Sequence, residues 1–549
     1  MEGKRSMKYT IGLDFGTSSA RSVLVDVTDG QSVYTSVFDY PDGVLTEYLP
    51  ESTIRIGEGY YLQNPENYYD ALISLLKDTV HYSGVSSDDI IGIGIDFTSC
   101  TVLPLDENMQ PLMMRKEYRK SPHSWVKLWK HVSPIKQAIR IDESIKKRSE
   151  QFITRYGGDK SSNEWLFAKA LETRDEAPEV YEATSVFMEA GDWIAYLLTG
   201  NIVKSGNYAS FKAMWSETDG YPSAEFFDDV EPGFSDILDK TGNIEILNPG
   251  REAGKLTKQM AEITGLREGI SVAVPMIDAH AVIPAFGLRE SGALVMVIGT
   301  SNSHILLSNV DAVVPGILGM GENAILQGYY AYDSAQAACG DAYAWVSGAL
   351  NTNIKTLNKK MSVLKPGESG LIALDWLNGN RSTLKDSNLT GLIIGMTLNT
   401  KPEEIYRAFV EATAFGARRI IENYRSHGVP VEKLFAGGGI PVKAPEIMQI
   451  FADVLGQEIR AGNCPQPSAL GSAIYAASAA GSSAGGYNKV EKAIEAMSAD
   501  MDLVFVPNQD NHRTYNDLYD IYCSLYESFS KKDSEMKKLI SVKNKVLKQ

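Results

Sequence analysis

Cysteine is scarce in this chain. Its four cysteines, Cys100, Cys339, Cys464 and Cys523, are scattered over 549 residues with no C-x-x-C pair, which excludes a disulfide framework and a cysteine zinc site. Histidine is nearly as rare, at seven scattered residues, so no metal held by nitrogen or sulfur donors is expected. Positive charge is in deficit: 53 Lys and Arg stand against 69 Asp and Glu, a net charge of −16. Sequence-independent binding to nucleic acid or to an anionic membrane needs a basic face, so neither partner is expected and a small molecule is. Long apolar runs are missing too. Those at 292–298 and 389–398 fall short of the roughly 20 residues that span a bilayer and read as buried strands. Residues 1–7, MEGKRSM, are charged and lead into no apolar run. No signal peptide is therefore expected, Met7 offers an alternative start, and the reducing cytoplasm is the expected compartment. The chain also lacks the G-x-x-x-x-G-K-[ST] P-loop and the protein-kinase glycine loop with its HRD.

What is present is an ordinary globular composition, 44% hydrophobic and 22% charged, in a chain long enough for two large domains. The most informative stretch is Tyr9 to Val25, YTIGLDFGTSSARSVLV. Thr10 to Leu13 predicts a buried strand, Gly16 to Ser18 a tight turn, and Arg21 to Val25 the returning strand. Glycine admits backbone N–H groups close to an anion, the Thr17 and Ser18 hydroxyls can donate to phosphate oxygens, and Asp14 at the strand end can hold magnesium. An ordinary hairpin with a small-residue turn is the alternative.

Further on, Ser32 to Val37 continues the sheet edge and Pro65 to His81 predicts a helix. Ile90 to Phe97 is an apolar strand ending on Asp96-Phe97-Thr98-Ser99-Cys100-Thr101, where α/β sheets place ligands, unless Asp96 and Thr98 only cap a turn. Met113 to Trp129 and Lys136 to Glu150 predict exposed helices, with Lys146, Lys147 and Arg148 on a solvated face. The run from Tyr156 to Trp165 predicts a loop leading to a helix near Asn163, and Trp193 to Leu198 a core helix ended by Gly200. Lys212, alone among aromatic and small residues, either snorkels to solvent or places a cation in a cleft.

The opening pattern then returns. Ile270 to Pro275 predicts a strand leading into Asp278. LVMVIGTSNSHILLS at 294–308 repeats strand, Gly-Thr-Ser turn and strand, with Gly299, Thr300 and Ser301 in the turn. Two such hairpins suggest a duplicated fold whose halves face each other across a cleft, with a boundary near Phe286 to Ser291. Gly391 to Met396 predicts a strand, Lys401 to Arg419 an amphipathic helix, and Leu434 to Gly439 a strand running into Gly437-Gly438-Gly439-Ile440-Pro441. That turn, with a helix after it from about Ala444 to Leu455, could lay a flat nucleotide base against backbone, or be a bare tight turn. Ser468 to Ala480 predicts a small-residue helix. The tail from Lys531 to Gln549, with seven lysines, predicts a frayed, solvated helix. The two hairpins, the triple-glycine turn and Asp278 together describe a two-domain ATP-dependent phosphotransferase.

Several longer strings carry a resemblance. GIGIDFTSCTVLPLD at 92–106, PHSWVKLWKH at 122–131, YPSAEFF at 221–227, PGESGLIALDWLNGNRS at 366–382, TKPEEIYRAFVEATAFG at 400–416 and MQIFADV at 448–454 are similar to the FGGY group of carbohydrate kinases. That group belongs to the actin, hexokinase and heat-shock chaperone ATPase superfamily, and the likeness spans about Lys8 to Tyr526. The resemblance implies an α/β fold of two actin/hexokinase-like (ribonuclease H-like) domains flanking an ATP- and sugar-binding cleft. It implies an N-terminal domain at 8–287 with sugar site, first phosphate hairpin and catalytic aspartate. A nucleotide-binding C-terminal domain at 288–530 and the lysine-rich tail at 531–549 would follow.

By the same resemblance, Asp278 is the general base, and Asp14 with Asp278 holds the magnesium of Mg-ATP. Gly16, Thr17, Ser18, Arg21, Gly299, Thr300 and Ser301 line the phosphate channel. Gly438, Gly439, Pro441 and Lys443 fall on the base side, and Ser99, Lys212 and Asp333 touch the sugar. The implied reaction is phosphorylation of a ketopentose at its 5-hydroxyl, L-ribulose first, as in L-arabinose catabolism. The partners are then the sugar and ATP, with no nucleic acid and no membrane; the resemblance also admits a homodimer. Four positions depart from the pattern. Members acting on L-ribulose are expected to have Ala after DFT and Glu in E-x-G-Q-S-A-x-G-D, where this chain has Ser99 and Asp333; Gly437 and Ala444 replace Cys and Asn around the triple-glycine turn. Single changes of this size are worth about 1–3 kcal/mol. Ser99 and Asp333 keep another pentulose or pentitol open as substrate (D-ribulose, xylulose, ribitol), while Gly437 and Ala444 bear on the adenine contact. A non-catalytic ATPase-fold module, an actin-like filament protein or a sugar sensor, is a further alternative, against which Asp278 and both Gly-Thr-Ser turns count.

Overall fold

The computed structural model describes residues 7–50, 52–148, 160–241 and 243–547. Expectations for residues 1–6, 149–150, 156–159 and 548–549 lie outside the described residues. The chain divides into two compact units: residues 1–289, 319–331 and 466–499 form the first, and residues 290–318, 332–465 and 500–549 the second. Each unit is therefore built from segments distant in sequence.

The sheet of the first unit starts from β1 (Tyr9–Phe15), β2 (Ser19–Asp26), β3 (Ser32–Asp39) and β4 (Ile90–Phe97). β5 (Glu252–Lys255) and β6 (Ser271–Ala273) extend it, in the order β5-β6-β4-β1-β2-β3, and β7 (Met276–Ile277) also pairs with β4. β1 and β2 form an antiparallel hairpin, and β4 runs parallel to β1, with Gly12 opposite Gly94 and Asp14 opposite Asp96. α1 (Pro65–Tyr82) starts where Asn64 accepts a hydrogen bond from the Glu66 amide and proline takes the first turn. Buried Leu72, Leu75 and Leu76 lie on one of its faces.

The glycines of β1 and β4 have a packing reason. The helix α10 (Pro467–Ala484) belongs to this unit and lies directly on its sheet. A Cβ on Gly12 would come within 1.8 Å of the Ala469 carbonyl oxygen, and one on Gly94 within 1.9 Å of the Ser472 carbonyl oxygen. Only bare backbone permits that approach.

In the second unit β8 (Ala293–Ile298) and β9 (Asn302–Ser308) form an antiparallel hairpin, followed in the sheet by β10 (Tyr330–Gln336) on one side. β11 (Lys433–Gly437), β12 (Ile459–Ala461) and β13 (Leu503–Phe505) continue it on the other. β11 is parallel to β8. The order β10-β9-β8-β11 repeats β3-β2-β1-β4, so the echo read in the two hairpins is an echo of topology. The amphipathic helix α7 (Pro402–Ser426) is longer than expected. It carries the buried pair Arg407 Nε to Glu411 Oε1 at 2.7 Å.

Three expectations need correction. Residues 113–129 are not an exposed helix: they hold a 3₁₀ turn over Pro122–Ser124 and a short strand at Val126–Lys127, with Trp125, Val126 and Leu128 fully buried. Proline and the strand pairing defeat the helical pattern there. Lys212 does not snorkel, since only 6% of it is exposed. The C-terminal tail is not merely solvated, because Met536 is buried and Lys537 Nζ pairs with Asp386 Oδ2 at 2.5 Å.

Candidate active site

Within the first unit the parallel register of three strands brings the acidic residues together. Asp14 is the last but one residue of β1, Asp96 lies opposite it in β4, and Met276 of β7 lies opposite Asp96, so Asp278 follows one residue past the end of β7. Asp278 is the first residue of α5 (Asp278–Ala285), and its Oδ1 accepts the Ala279 amide at 2.7 Å. That segment is anchored by α4 (Gly206–Lys212): Asn207 Oδ1 accepts the Ile277 amide at 2.9 Å, and the Tyr208 hydroxyl donates to the Met276 carbonyl at 2.8 Å. Neither anchor was legible as a functional residue, since a buried Asn and Tyr in a helix read as core.

The electrostatics follow from burial. Asp278 keeps part of its surface open to solvent, yet the protein encloses most of it. Burial, and next the charge of Asp14, push its pKa up to about 7, against which the Ala279 amide and the Lys212 cation act. Asp14 is raised mainly by burial, with Arg21, whose Nη1 stands 3.7 Å from Asp14 Oδ2, opposing. Asp96 is fully buried and its carboxyl is pushed well above its ordinary value, by burial and then by the charge of Asp14; Ser472 Oγ donates to its Oδ2 at 2.6 Å. Asp96 therefore does not cap the turn after β4, where the Thr98 and Thr101 hydroxyls bond each other at 2.7 Å instead.

The first Gly-Thr-Ser turn is held from the protein side. Gly16 N–H donates to the Ser19 carbonyl, Tyr40 N–H to the Ser18 carbonyl at 3.1 Å, and Gln63 Nε2 to the Thr17 carbonyl at 2.6 Å. Trp129 Nε1 donates to Thr17 Oγ1 at 3.0 Å, which leaves the Thr17 hydroxyl its own proton to give. Ser18 is exposed, and Arg21 is steered by a bond of 3.1 Å to Gln466 Oε1 on the returning segment. Trp129, Gln63 and Gln466 were missed because nothing local ties them to this turn. Ser99, partly exposed, and the buried Lys212 belong to the same unit.

Asp333, on β10, belongs to the second unit, as do Gly299, Thr300, Ser301, Gly438, Gly439, Pro441 and Lys443. The second Gly-Thr-Ser turn is fixed by its carbonyls: Cys339 N–H donates to Thr300 O and Gly340 N–H to Gly299 O, both at 2.9 Å, at the start of α6 (Gly340–Ala349). Gly438 sits at φ 92°, where a Cβ would meet the Ile298 carbonyl oxygen at 2.5 Å. The short helix α8 (Gly439–Lys443) leaves Gly439 and Lys443 exposed and Pro441 buried.

Among the described residues no group of three or more His, Cys, Asp or Glu side chains forms a metal site, and no helix is long and apolar enough to cross a membrane. All four cysteines are free thiols.

Known proteins agree with this architecture. The family model for the N-terminal domain of the FGGY family of carbohydrate kinases matches residues 9–283, and that for the C-terminal domain matches residues 294–480. The chain is 45% identical to a ribulokinase of Halalkalibacterium halodurans, over 98% of each sequence. It is also 45% identical to a ribulokinase of Bacillus licheniformis, over 96% of this chain and 98% of the relative. Among solved structures it resembles a xylulose kinase from Rhodospirillum rubrum, with TM-score 0.79 and 21% identity, over 95% of this chain and 98% of that one. A ligand-bound xylulose kinase from Lactobacillus acidophilus superposes with TM-score 0.80 and 18% identity, over 96% and 99%; at these identities both comparisons speak for the two-domain actin/hexokinase-like fold alone. The chain belongs to the FGGY family of carbohydrate kinases.

Proposed function

We propose that this carbohydrate kinase transfers the γ-phosphoryl group of ATP to the 5-hydroxyl of L-ribulose, giving L-ribulose 5-phosphate and ADP. The observation that carries the reading is Asp278, a carboxyl at a strand end whose pKa of about 7 suits a general base at neutral pH. Its carboxylate takes the proton of the sugar hydroxyl while that oxygen bonds to the γ-phosphorus and the bond to the ADP oxygen breaks. Lys212 lowers the charge the sugar oxygens meet, and Thr17, Ser18 and Arg21 donate to the phosphate oxygens. Asp14 fits a magnesium ion: its oxygens are hard donors, Arg21 opposes its charge only at 3.7 Å, and magnesium keeps waters and substrate phosphates as its other ligands. When bound, that ion neutralises phosphate charge. Asp278 would be a second donor.

The roles given to the second unit rest on family resemblance: Gly299, Thr300 and Ser301 on phosphate, Gly438, Gly439, Pro441 and Lys443 on the base side, Asp333 on sugar. So do the domain roles, with residues 8–287 for sugar and base and 288–530 for nucleotide. Support for L-ribulose, and for a place in L-arabinose breakdown, comes from what the near relatives are called. The free thiols suit the cytoplasm as compartment. Ser99 and Asp333 favour a second reading, in which a different pentulose or a pentitol is preferred.

The test is the pH dependence of kcat/KM for L-ribulose. A base must be deprotonated to work, so the rate is expected to rise with pH, level off above about 7, and fall tenfold per unit below it. A profile flat from pH 5 to 8 would remove Asp278 from the role of base.

A further inference from the structure

Beside the acidic residues of the active site lies a second group of buried charges that the phosphoryl transfer does not use. Lys169, on α2 (Leu166–Glu176), is 1% exposed, and its ammonium donates to two carbonyls: Cys100 O at 2.5 Å and Leu128 O at 2.6 Å. Glu189, at the end of the strand Val186–Glu189, is 4% exposed, and its Oε2 accepts the Thr101 amide at 3.0 Å. Its Oε1 is enclosed and has no hydrogen-bond partner among the described residues. Burial raises Glu189 to about 7, and Lys169 first, then the Thr101 amide, then Lys212 and Lys204, pull it back toward the charged form.

Lys169 and Glu189 therefore both grip one peptide unit, the bond from Cys100 to Thr101, which directly follows Cys100 at φ 53°. Residues with a Cβ avoid that conformation, and it persists only where surrounding bonds over-determine it. Here they do: the carbonyl of Cys100 is taken by Lys169, and the amide of the next residue by Glu189. The residue before it is Ser99, the hydroxyl that stands where alanine was expected. Lys169 further fixes the Leu128 carbonyl, next to Trp129 and its bond to Thr17.

We infer that Lys169 and Glu189 are positioning residues that clamp the strained Ser99–Cys100–Thr101 turn and so set how the sugar is recognised. The clamp acts through backbone, not by touching the reacting atoms. Its selectivity for sugar over nucleotide comes from where Glu189 binds, on the turn after β4 and not on the Gly-Thr-Ser turn.

The inference rests on the pentulose-kinase reading, and the experiment separates the two. Glu189→Asp keeps the charge that balances Lys169 but withdraws the carboxylate from the Thr101 amide. Glu189→Gln keeps the reach and the acceptor but removes the charge. With the full-length enzyme, KM for L-ribulose is expected to rise about tenfold in Glu189→Asp and about threefold in Glu189→Gln, the scale of a lost or weakened charge-assisted hydrogen bond. KM for ATP should stay within about twofold in both. A merely structural residue would lower the melting temperature and the active fraction without this split. Wild-type sugar KM in folded Glu189→Asp, or equal rises for sugar and ATP, would overturn the clamp. A wild-type enzyme that turns over no pentulose would instead overturn the reading beneath it.

Discussion

Asp278→Asn is expected to lower kcat by about 10²–10⁴-fold, the range a positioned general base contributes, with little change in KM for either substrate. The amide is nearly the same shape and can still accept the Ala279 amide that Asp278 Oδ1 accepts at 2.7 Å, so the start of α5 should keep its geometry. What it cannot do is take a proton. Steady-state kinetics with L-ribulose and ATP, beside a melting curve to show that the variant is folded, make the check. Because the folded protein holds the Asp278 proton up to about pH 7, against an unfolded carboxyl near 3.9, this group disfavours the folded state increasingly as pH rises from about 4 to 7. The variant should therefore melt no lower than the parent at pH 8, and a lost rate cannot be put down to unfolding. A kcat within a few fold of wild type would place the base elsewhere.

Gly94→Ala is expected to be among the most destabilising single changes in the chain. The new Cβ would stand 1.9 Å from the Ser472 carbonyl oxygen, a backbone atom in a helix that also crowds Gly12 and Gly92. Sheet and helix must part along their length. Overpacking of this kind costs about 1–3 kcal/mol or more, and the expected result is a midpoint lowered by about 2–4 °C or more. Activity should fall with it, because the shift moves Ser472, whose hydroxyl bonds Asp96 at 2.6 Å. A melting temperature unchanged within about 1 °C would mean that the helix does not lie as close as described.

The first hairpin was legible because alternation and a Gly-Thr-Ser turn are local signals. The place of Asp278 was legible for a related reason, since it directly follows an apolar strand in sequence. The return of residues 466–499 to the first unit was not, since the periodicity of an Ala- and Gly-rich helix says what it is and not where it packs. A signal did exist in the glycines at 12, 92 and 94, two of which stand opposite each other in register: glycine on one face of paired strands announces a backbone neighbour. Residues 113–129 misled because their polar and aromatic spacing imitates a helix while Pro122 and a buried strand set the fold. Lys169, Glu189 and Trp129 act through contacts 41 to 112 residues apart in sequence. No window along the chain contains both partners.

The most direct test of the central claim is sugar-dependent ADP release by the purified protein with ATP and magnesium, across L-ribulose, D-ribulose, both xyluloses, ribitol, L-arabinitol and glycerol. The expected result is the highest kcat/KM for L-ribulose, with Ser99 and Asp333 as tolerated changes in its pocket. Release that no sugar stimulates would contradict the kinase reading, and a clear preference for another member of the panel would contradict L-ribulose as its substrate.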